Sequence, residues 1–255
     1  MISKKKFYSI ILTLIITVGT ITFNQFKSWL NQSVQPQNTN TAEIQINDNH
    51  YPTWSYDQYP DYYAIIGEAQ IDLNNFPEKG KITYTGKDEQ GRTQAVYGTI
   101  TLNMIQQSSA EERPDFKRGD NPSGYPKNQE VDVETSTGTY HGWFWNRSHL
   151  VADRLGGEAT SNNAITGTRM QNVGNRSNSG GIYYIEELTV DFLRANRSQH
   201  VYYSATPIYY KNEMIPRYVI VDVKSDNSTL NQRVITFNNQ NGYTINYYDG
   251  SFIKN

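Results

Sequence analysis

Between Ile182 and Asn196 the apolar positions Ile185, Leu188, Thr189, Phe192 and Leu193 recur at the i, i+3, i+4, i+7, i+8 spacing of one buried helical stripe. Glu186 and Glu187 fall off that stripe, so this is the clearest helix in the chain. Elsewhere the pattern shifts to period two. Residues 80–86 are strand-like, and from Gln94 to Met104 residues 95, 97, 99, 101 and 103 alternate with Val96, Ile100 and Leu102. A turn at 87–92 joins these two segments. The runs 200–210, 217–225, 232–239 and 243–250 read as further strands separated by Asn, Gly and Ser turns, a C-terminal meander. Between Tyr51 and Leu73 the chain is aromatic and Pro-punctuated, which predicts irregular structure followed by a short strand. Residues 108–128 are charged and broken by Pro and Gly, a long exposed loop carrying Arg113, Lys117, Arg118 and Lys127. The expected fold is α+β, a mixed or antiparallel β-sheet core with more strand than helix and no internal repeat.

The N-terminus follows a different pattern. Lys4, Lys5 and Lys6 precede the apolar run Phe7–Phe23, the order that holds an N-terminus in the cytoplasm and sends the rest outward. The run lies between a long signal core and a short membrane span, and no small-x-small cleavage site follows it. We expect residues 1–30 to be a signal peptide or, by preference, an uncleaved signal anchor. Residues 31–50, rich in Asn, Gln and Thr, would be a polar linker, and 51–255 the working domain, secreted or held on the outer face of the membrane.

Composition narrows the chemistry. With no cysteine, disulfides, thiolate zinc sites and cysteine nucleophiles are excluded. Hydrophobic residues at 36% and aromatics at 13%, including 20 tyrosines, suffice for a real core. Loss of the first 23 residues removes three lysines and no acid, which takes the net charge from −2 to −5. A body of that sign is not coated in basic surface, although a local basic groove remains compatible with it.

Against that background the stretch "WNRSHLVAD", 145–153, stands out, because it holds one of only four histidines. Upstream, 140–145 (YHGWFW) is strand-like and would bury aromatics; downstream, Gly156-Gly157 forms a turn. His149 therefore sits at a strand end, suited to face a cleft. Asn163, Asn172 and, on the helix, Glu186 follow it. One histidine, several amides and a carboxylate suit a hard cation that keeps most of its positions for water and substrate phosphate, as Mg²⁺ does. Metal-assisted phosphodiester cleavage is one reading of these residues, and a structural histidine in an aromatic setting is the commoner one. Arg147 read alone would be a surface salt bridge, Asn172 a helix or turn cap, and Glu186 a solvated helix face. The tyrosines could offer stacking platforms to bases, though most should line strands and core.

The motif Asn146-Arg147-Ser148-His149 resembles the Asp-Arg-Gly-His motif of the DNA/RNA non-specific endonucleases with a ββα-metal (His-Me finger) fold. The surrounding set is similar to the streptodornase and DNA-entry nuclease group of streptococci. It comprises "D-x-x-G-R" at 88–92, "NPSG" at 121–124, "SNNAI", "MQNVG", "GGIYYIEE" and "IPRYVIV". The resemblance implies that His149 is the general base and that Asn172 is the single direct protein ligand to Mg²⁺, with Mn²⁺ as a substitute. It further implies that Glu186 orients metal-bound water, with Glu187 the alternative, that Asn163 supports the site, and that Arg147 pairs with charge on the phosphate. The substrate would be DNA and, by extension, RNA, with 5′-phosphate products and no protein partner. Arg113, Lys117, Arg118 and Lys127 could track the phosphate backbone beside the site, and the N-terminal segment, if uncleaved, would add a membrane association. The chain departs from the motif at Asn146, where the wider family has aspartate, and at Ser148, where it has glycine. Two other readings stand beside this one. In the first, a surface nucleic-acid-binding protein or adhesin retains the fold without the catalysis; in the second, a different hydrolase uses His149 with Asp153.

Overall fold

The computed structural model describes residues 52–175 and 179–255. The expected signal or anchor segment and the polar linker lie outside the described residues. In chain order the elements are β1 (Tyr63–Gly67), β2 (Ile82–Tyr84), β3 (Val96–Thr101), α1 (Leu102–Ala110), β4 (Glu130–Thr135) and β5 (Gly138–Trp143). There follow β6 (Trp145–His149), β7 (Ala164–Thr168), α2 (Arg169–Val173), α3 (Tyr183–Ala195), β8 (His200–Ile208), β9 (Tyr218–Ser225), β10 (Asn231–Phe237), β11 (Tyr243–Ile245) and β12 (Phe252–Lys254).

Six strands make the main sheet, in the order β1-β10-β9-β8-β3-β2, and every neighbouring pair is antiparallel. Three strands of the expected meander are present as β8-β9-β10, whose alternating burial puts Val201, Tyr203, Ala205, Val219, Val221, Val223 and Val234 into the core, whereas the run 243–250 gives only the short β11, which pairs with β12 outside this sheet. Helix α3 lays its stripe of Ile185, Leu188, Phe192 and Leu193 against that layer, and α1 adds Met104 and Ile105. Each large aliphatic side chain so buried contributes about 1.5–3 kcal/mol, which is why a helix of this length holds in place. Three smaller ribbons, β4–β5, β6–β7 and β11–β12, stand apart from this sheet.

Several elements differ from expectation. The alternation that extends strand β3 to Met104 stops at Thr101, whose hydroxyl caps α1 by accepting from the Met104 amide. Residues 102–105 then bury Met104 and Ile105 on one helical face, so a helical face displaces the period-two pattern. The loop expected from Ser108 begins inside α1 and is not wholly exposed, because Pro122 is buried and Phe116 and Asp120 are half-buried. The strand-like 140–145 segment is divided between β5 and β6 at Phe144, and within it Phe144 and Trp145 are buried while Trp143 is exposed. Strand β4 carried no clear signal of its own and is made by pairing with β5. Glu186, expected off the buried stripe of α3, is only 5% exposed.

Candidate active site

Strands β6 and β7 run antiparallel and α2 follows directly, so the order is strand, strand, helix. The start of β6 is fixed by its aromatics: Phe144 stacks on Phe252 at 3.8 Å, and Trp145 Nε1 donates to the Gly250 carbonyl at 2.9 Å. The ribbon register sets Arg147 opposite Thr166 and His149 opposite Ala164. Helix α2 opens on Thr168, whose hydroxyl accepts from the Gln171 amide at 3.0 Å, and Asn172 lies in its last turn.

Alternation along β6 separates two sets of side chains. On one side, the Ser148 hydroxyl is 2.6 Å from Gln171 Oε1 and 3.1 Å from Asn172 Oδ1, sharing its proton between the two amides. Gln171 Nε2 in turn donates to Thr236 Oγ1 on β10, which ties α2 to the main sheet. Gly167 makes this packing feasible, because a Cβ there would stand 2.6 Å from both Ser148 Cβ and Gln171 Oε1. Asn146 shares this parity, and its Nδ2 is buried without a hydrogen-bond partner.

On the other side, Phe116 from the 111–129 loop lies against both functional candidates. Its ring centroid is 4.9 Å from that of His149, and the Arg147 guanidinium is 5.1 Å from it. Arg147 is also 5.8 Å from the Tyr125 ring. His149 is 8% exposed and its Nε2 is buried with no hydrogen-bond partner. Burial, aided by the positive charge of Arg113, pushes its pKa down from 6.5 to about 4, so the ring is neutral at ordinary pH. An unpartnered buried nitrogen normally costs stability, and such atoms gather where function needs them.

Glu186 projects from the first turn of α3 into a buried setting. Burial raises its pKa to about 7, against the opposing pull of Arg154 and Arg113. Arg154, from the turn after β6, reaches 3.4 Å from Glu186, forms a close ion pair with Glu187 and lies 4.0 Å over the Tyr183 ring. Glu187 is more exposed, and against the effect of its partial burial the Tyr183 hydroxyl and then the same arginine hold its carboxyl below the usual range. The two carboxylates thus differ in kind: one is a buried group, the other a half-exposed anchor for Arg154.

Asn163 is fully buried and every polar atom of its side chain is engaged. Its Oδ1 accepts from the Val151 amide at 3.0 Å, and its Nδ2 donates to the Val151 and Glu158 carbonyls at 2.9 Å each. It clamps the segment that follows His149, a positioning arrangement in which the whole side chain is closed off from solvent. Of the loop cations, Arg113, Lys117, Arg118 and Lys127 are all exposed, and Arg113 has its charge felt by both His149 and Glu186. Nothing in the sequence pattern pointed to Phe116, Ser148 or Arg154; the Ser148 departure from the motif was the only visible signal.

Among the described residues no group of three or more His, Cys, Asp or Glu is arranged to hold a metal. The donors present suit instead a hydrated hard cation: the Asn172 amide oxygen, whose two lone pairs allow a second bond beside that from Ser148, and the buried Glu186 carboxylate.

The profile of the DNA/RNA non-specific endonuclease family matches residues 66–253. A deoxyribonuclease from Streptococcus dysgalactiae subsp. equisimilis is 31% identical in an alignment of 278 positions that spans 89% of this chain and 83% of that protein. The Sda1 nuclease, solved with a bound zinc ion, is 33% identical with a TM-score of 0.76 over 79% of this chain and all of that one. NucA from Streptococcus agalactiae, solved with a magnesium ion, is 22% identical with a TM-score of 0.57, covering 74% of this chain and 83% of its own, a likeness of fold.

Proposed function

The chain belongs to the DNA/RNA non-specific endonuclease family and is an enzyme of that kind, and from this premise we propose that it is an exported, Mg²⁺-dependent nuclease that hydrolyses DNA, and RNA by the same contacts, to 5′-phosphate ends. The single observation that carries the catalytic assignment is His149 Nε2, buried, partnerless and neutral, two residues from Arg147 on the same side of β6.

In this reading His149 Nε2 accepts a proton from the attacking water as its oxygen bonds to phosphorus and the bond to the 3′ oxygen breaks. The departing 3′ oxygen takes a proton from solvent. A base with a pKa near 4 is weak, chiefly because it is buried and less because of Arg113; the negative charge of a bound phosphate favours the imidazolium and so raises the basicity of the ring. Arg147, braced by Phe116, pairs with the phosphate oxygens as charge grows on them. Asn172 would hold the cation, oriented by Ser148, and Glu186 would accept hydrogen bonds from water in the site. A bound Mg²⁺ supplies charge neutralisation at the phosphate and at the leaving oxygen. Sequence indifference follows if Arg147, Arg113 and the loop cations meet only phosphate and sugar, since those contacts carry no base information. Export rests on the lysine cluster and the apolar run Phe7–Phe23.

The test is plasmid degradation by the full-length protein and by His149→Ala, each with Mg²⁺ or EDTA. Metal-dependent cutting by the parent and its loss in the variant are expected. Intact plasmid in every lane, with DNA still retained in a gel shift, would replace this reading with that of a binding protein on a nuclease fold.

A further inference from the structure

The "D-x-x-G-R" turn at 88–92 takes no part in the chemistry above, yet its bonding is elaborate. Asp88 Oδ1 accepts from the Gln90 and Arg92 amides, and Asp88 Oδ2 accepts from Arg92 Nε at 2.7 Å. So fixed, Arg92 Nη1 donates to the Lys211 carbonyl at 2.7 Å and the Glu213 carbonyl at 3.1 Å, and its guanidinium lies 4.6 Å over the Tyr209 ring. The loop between β8 and β9 is therefore held from below by this arginine. Lys211 adopts a left-handed backbone with φ of +50°, a conformation that costs a non-glycine residue free energy and persists where surroundings impose it.

The result is a surface group that serves no core. Tyr210 is 52% exposed and Tyr248 54%. Lys211 Nζ stands 4.9 Å from the Tyr210 ring, whose hydroxyl is the main cause that raises the pKa of its ammonium, with a smaller push in the same direction from Tyr248. Arg217, paired with the buried Glu213, lies 5.4 Å from Tyr210 and 4.7 Å from Tyr247. The 246–250 turn is bound to this loop through the Met214 and Ile215 amides, both donating to the Tyr247 carbonyl at 3.0 Å. The nearby Asp249 turns its carboxylate onto its own turn, accepting from the Ser251 amide and hydroxyl. Exposed rings flanked by cations match a chain of anionic phosphates carrying flat bases.

The loop that carries the group is tied to the site by a relay of hydrogen bonds. Arg147 is the register partner of Thr166, whose hydroxyl donates to the Ser123 carbonyl at 2.8 Å, and Ser123 Oγ donates to the Met214 carbonyl at 2.6 Å. Gly124 lets that intervening loop pack on Ile215, where a Cβ would stand 2.5 Å from the Ile215 side chain.

We propose that Tyr210, Lys211 and Tyr248 form a stacking platform for unpaired bases of the nucleic-acid strand whose phosphate lies at Arg147 and His149. The proposal rests on the nuclease reading and adds to it a preference for strands with accessible base faces, which a closed duplex does not offer. It also gives the Asp88–Arg92 turn a purpose, as the buttress of the platform.

The test measures binding in EDTA, so that no cleavage intervenes, using the full-length protein with a fluorescent oligothymidylate and with a duplex hairpin of equal length. The Tyr210→Ala/Tyr248→Ala protein should bind oligothymidylate about tenfold or more weakly, with little change for the hairpin. Tyr210→Phe/Tyr248→Phe should bind like the parent, because the rings remain. Unchanged oligothymidylate affinity in the alanine protein, or equal losses on both probes, overturns the platform alone if the parent still cuts plasmid once Mg²⁺ is restored. A parent that binds neither probe and cuts nothing overturns the platform and the nuclease reading together.

Discussion

The Ser148 hydroxyl lies 3.1 Å from Asn172 Oδ1, so the residue that departs from the family's glycine is in contact with the amide proposed to hold the cation. A partner of this kind fixes the direction of a ligand oxygen, and its loss typically costs about 10–100-fold in metal affinity. Ser148→Ala should therefore need about tenfold more Mg²⁺ for half-maximal cleavage and recover most of its rate at saturation. A Mg²⁺ titration that superimposes on the parent's would remove Ser148 from this role.

The two adjacent carboxylates should separate on substitution. Glu186→Gln should lower kcat by about a hundredfold or more, since in the proposed reaction this buried carboxylate accepts hydrogen bonds from water in the site. Glu187→Gln should remain within a few-fold of the parent and lose roughly 1 kcal/mol of stability from its half-exposed pair with Arg154. Steady-state kinetics and urea unfolding on the pair decide it; the reverse ranking of rates would assign the site carboxylate to Glu187.

Acid should weaken the fold through His149. Its folded pKa of about 4 lies below the unfolded value of 6.5, so between those values the unfolded chain binds more protons. Stability is thus unaffected by this group above pH 6.5 and falls as pH drops from 6.5 towards 4, by roughly 2 kcal/mol at pH 5. His149→Gln should lose correspondingly less stability than the parent between pH 8 and pH 5. Equal losses in urea unfolding at the two pH values would mean that the imidazole titrates normally.

Asn163 should act through the fold. Asn163→Ala strands the Val151 amide and carbonyl in a buried setting and the Glu158 carbonyl in a partly buried one, a loss of about 2–4 kcal/mol. Its activity should approach the parent's at low temperature and vanish as the melting transition is reached. A folded Asn163→Ala protein, inactive at every temperature, would instead give the side chain a direct part in the reaction.

Much of the architecture was legible because it depends on local periodicity. The α3 stripe, the β8-β9-β10 meander and the place of His149 at the end of β6 all follow from spacing over a few residues. Leu102 misled because a helix start and a continuing strand share the same apolar position until the cap at Thr101 is known. Strand β4 depended on its partner, and Glu186 on an arginine 32 positions away.

By itself the sequence determined the family, the β-rich fold class and which residues carry candidate chemistry, since motif order and apolar period are properties of the chain. Only the tertiary structure decided how those residues are used. It buried His149 under Phe116, let the charge of Arg113 reach both His149 and Glu186, set Ser148 against Asn172, engaged the whole Asn163 side chain in a loop, and left Tyr210 and Tyr248 on the surface. Burial and the fields of distant charges set pKa values, free lone pairs and exposure, and these arise between segments that are far apart in the chain.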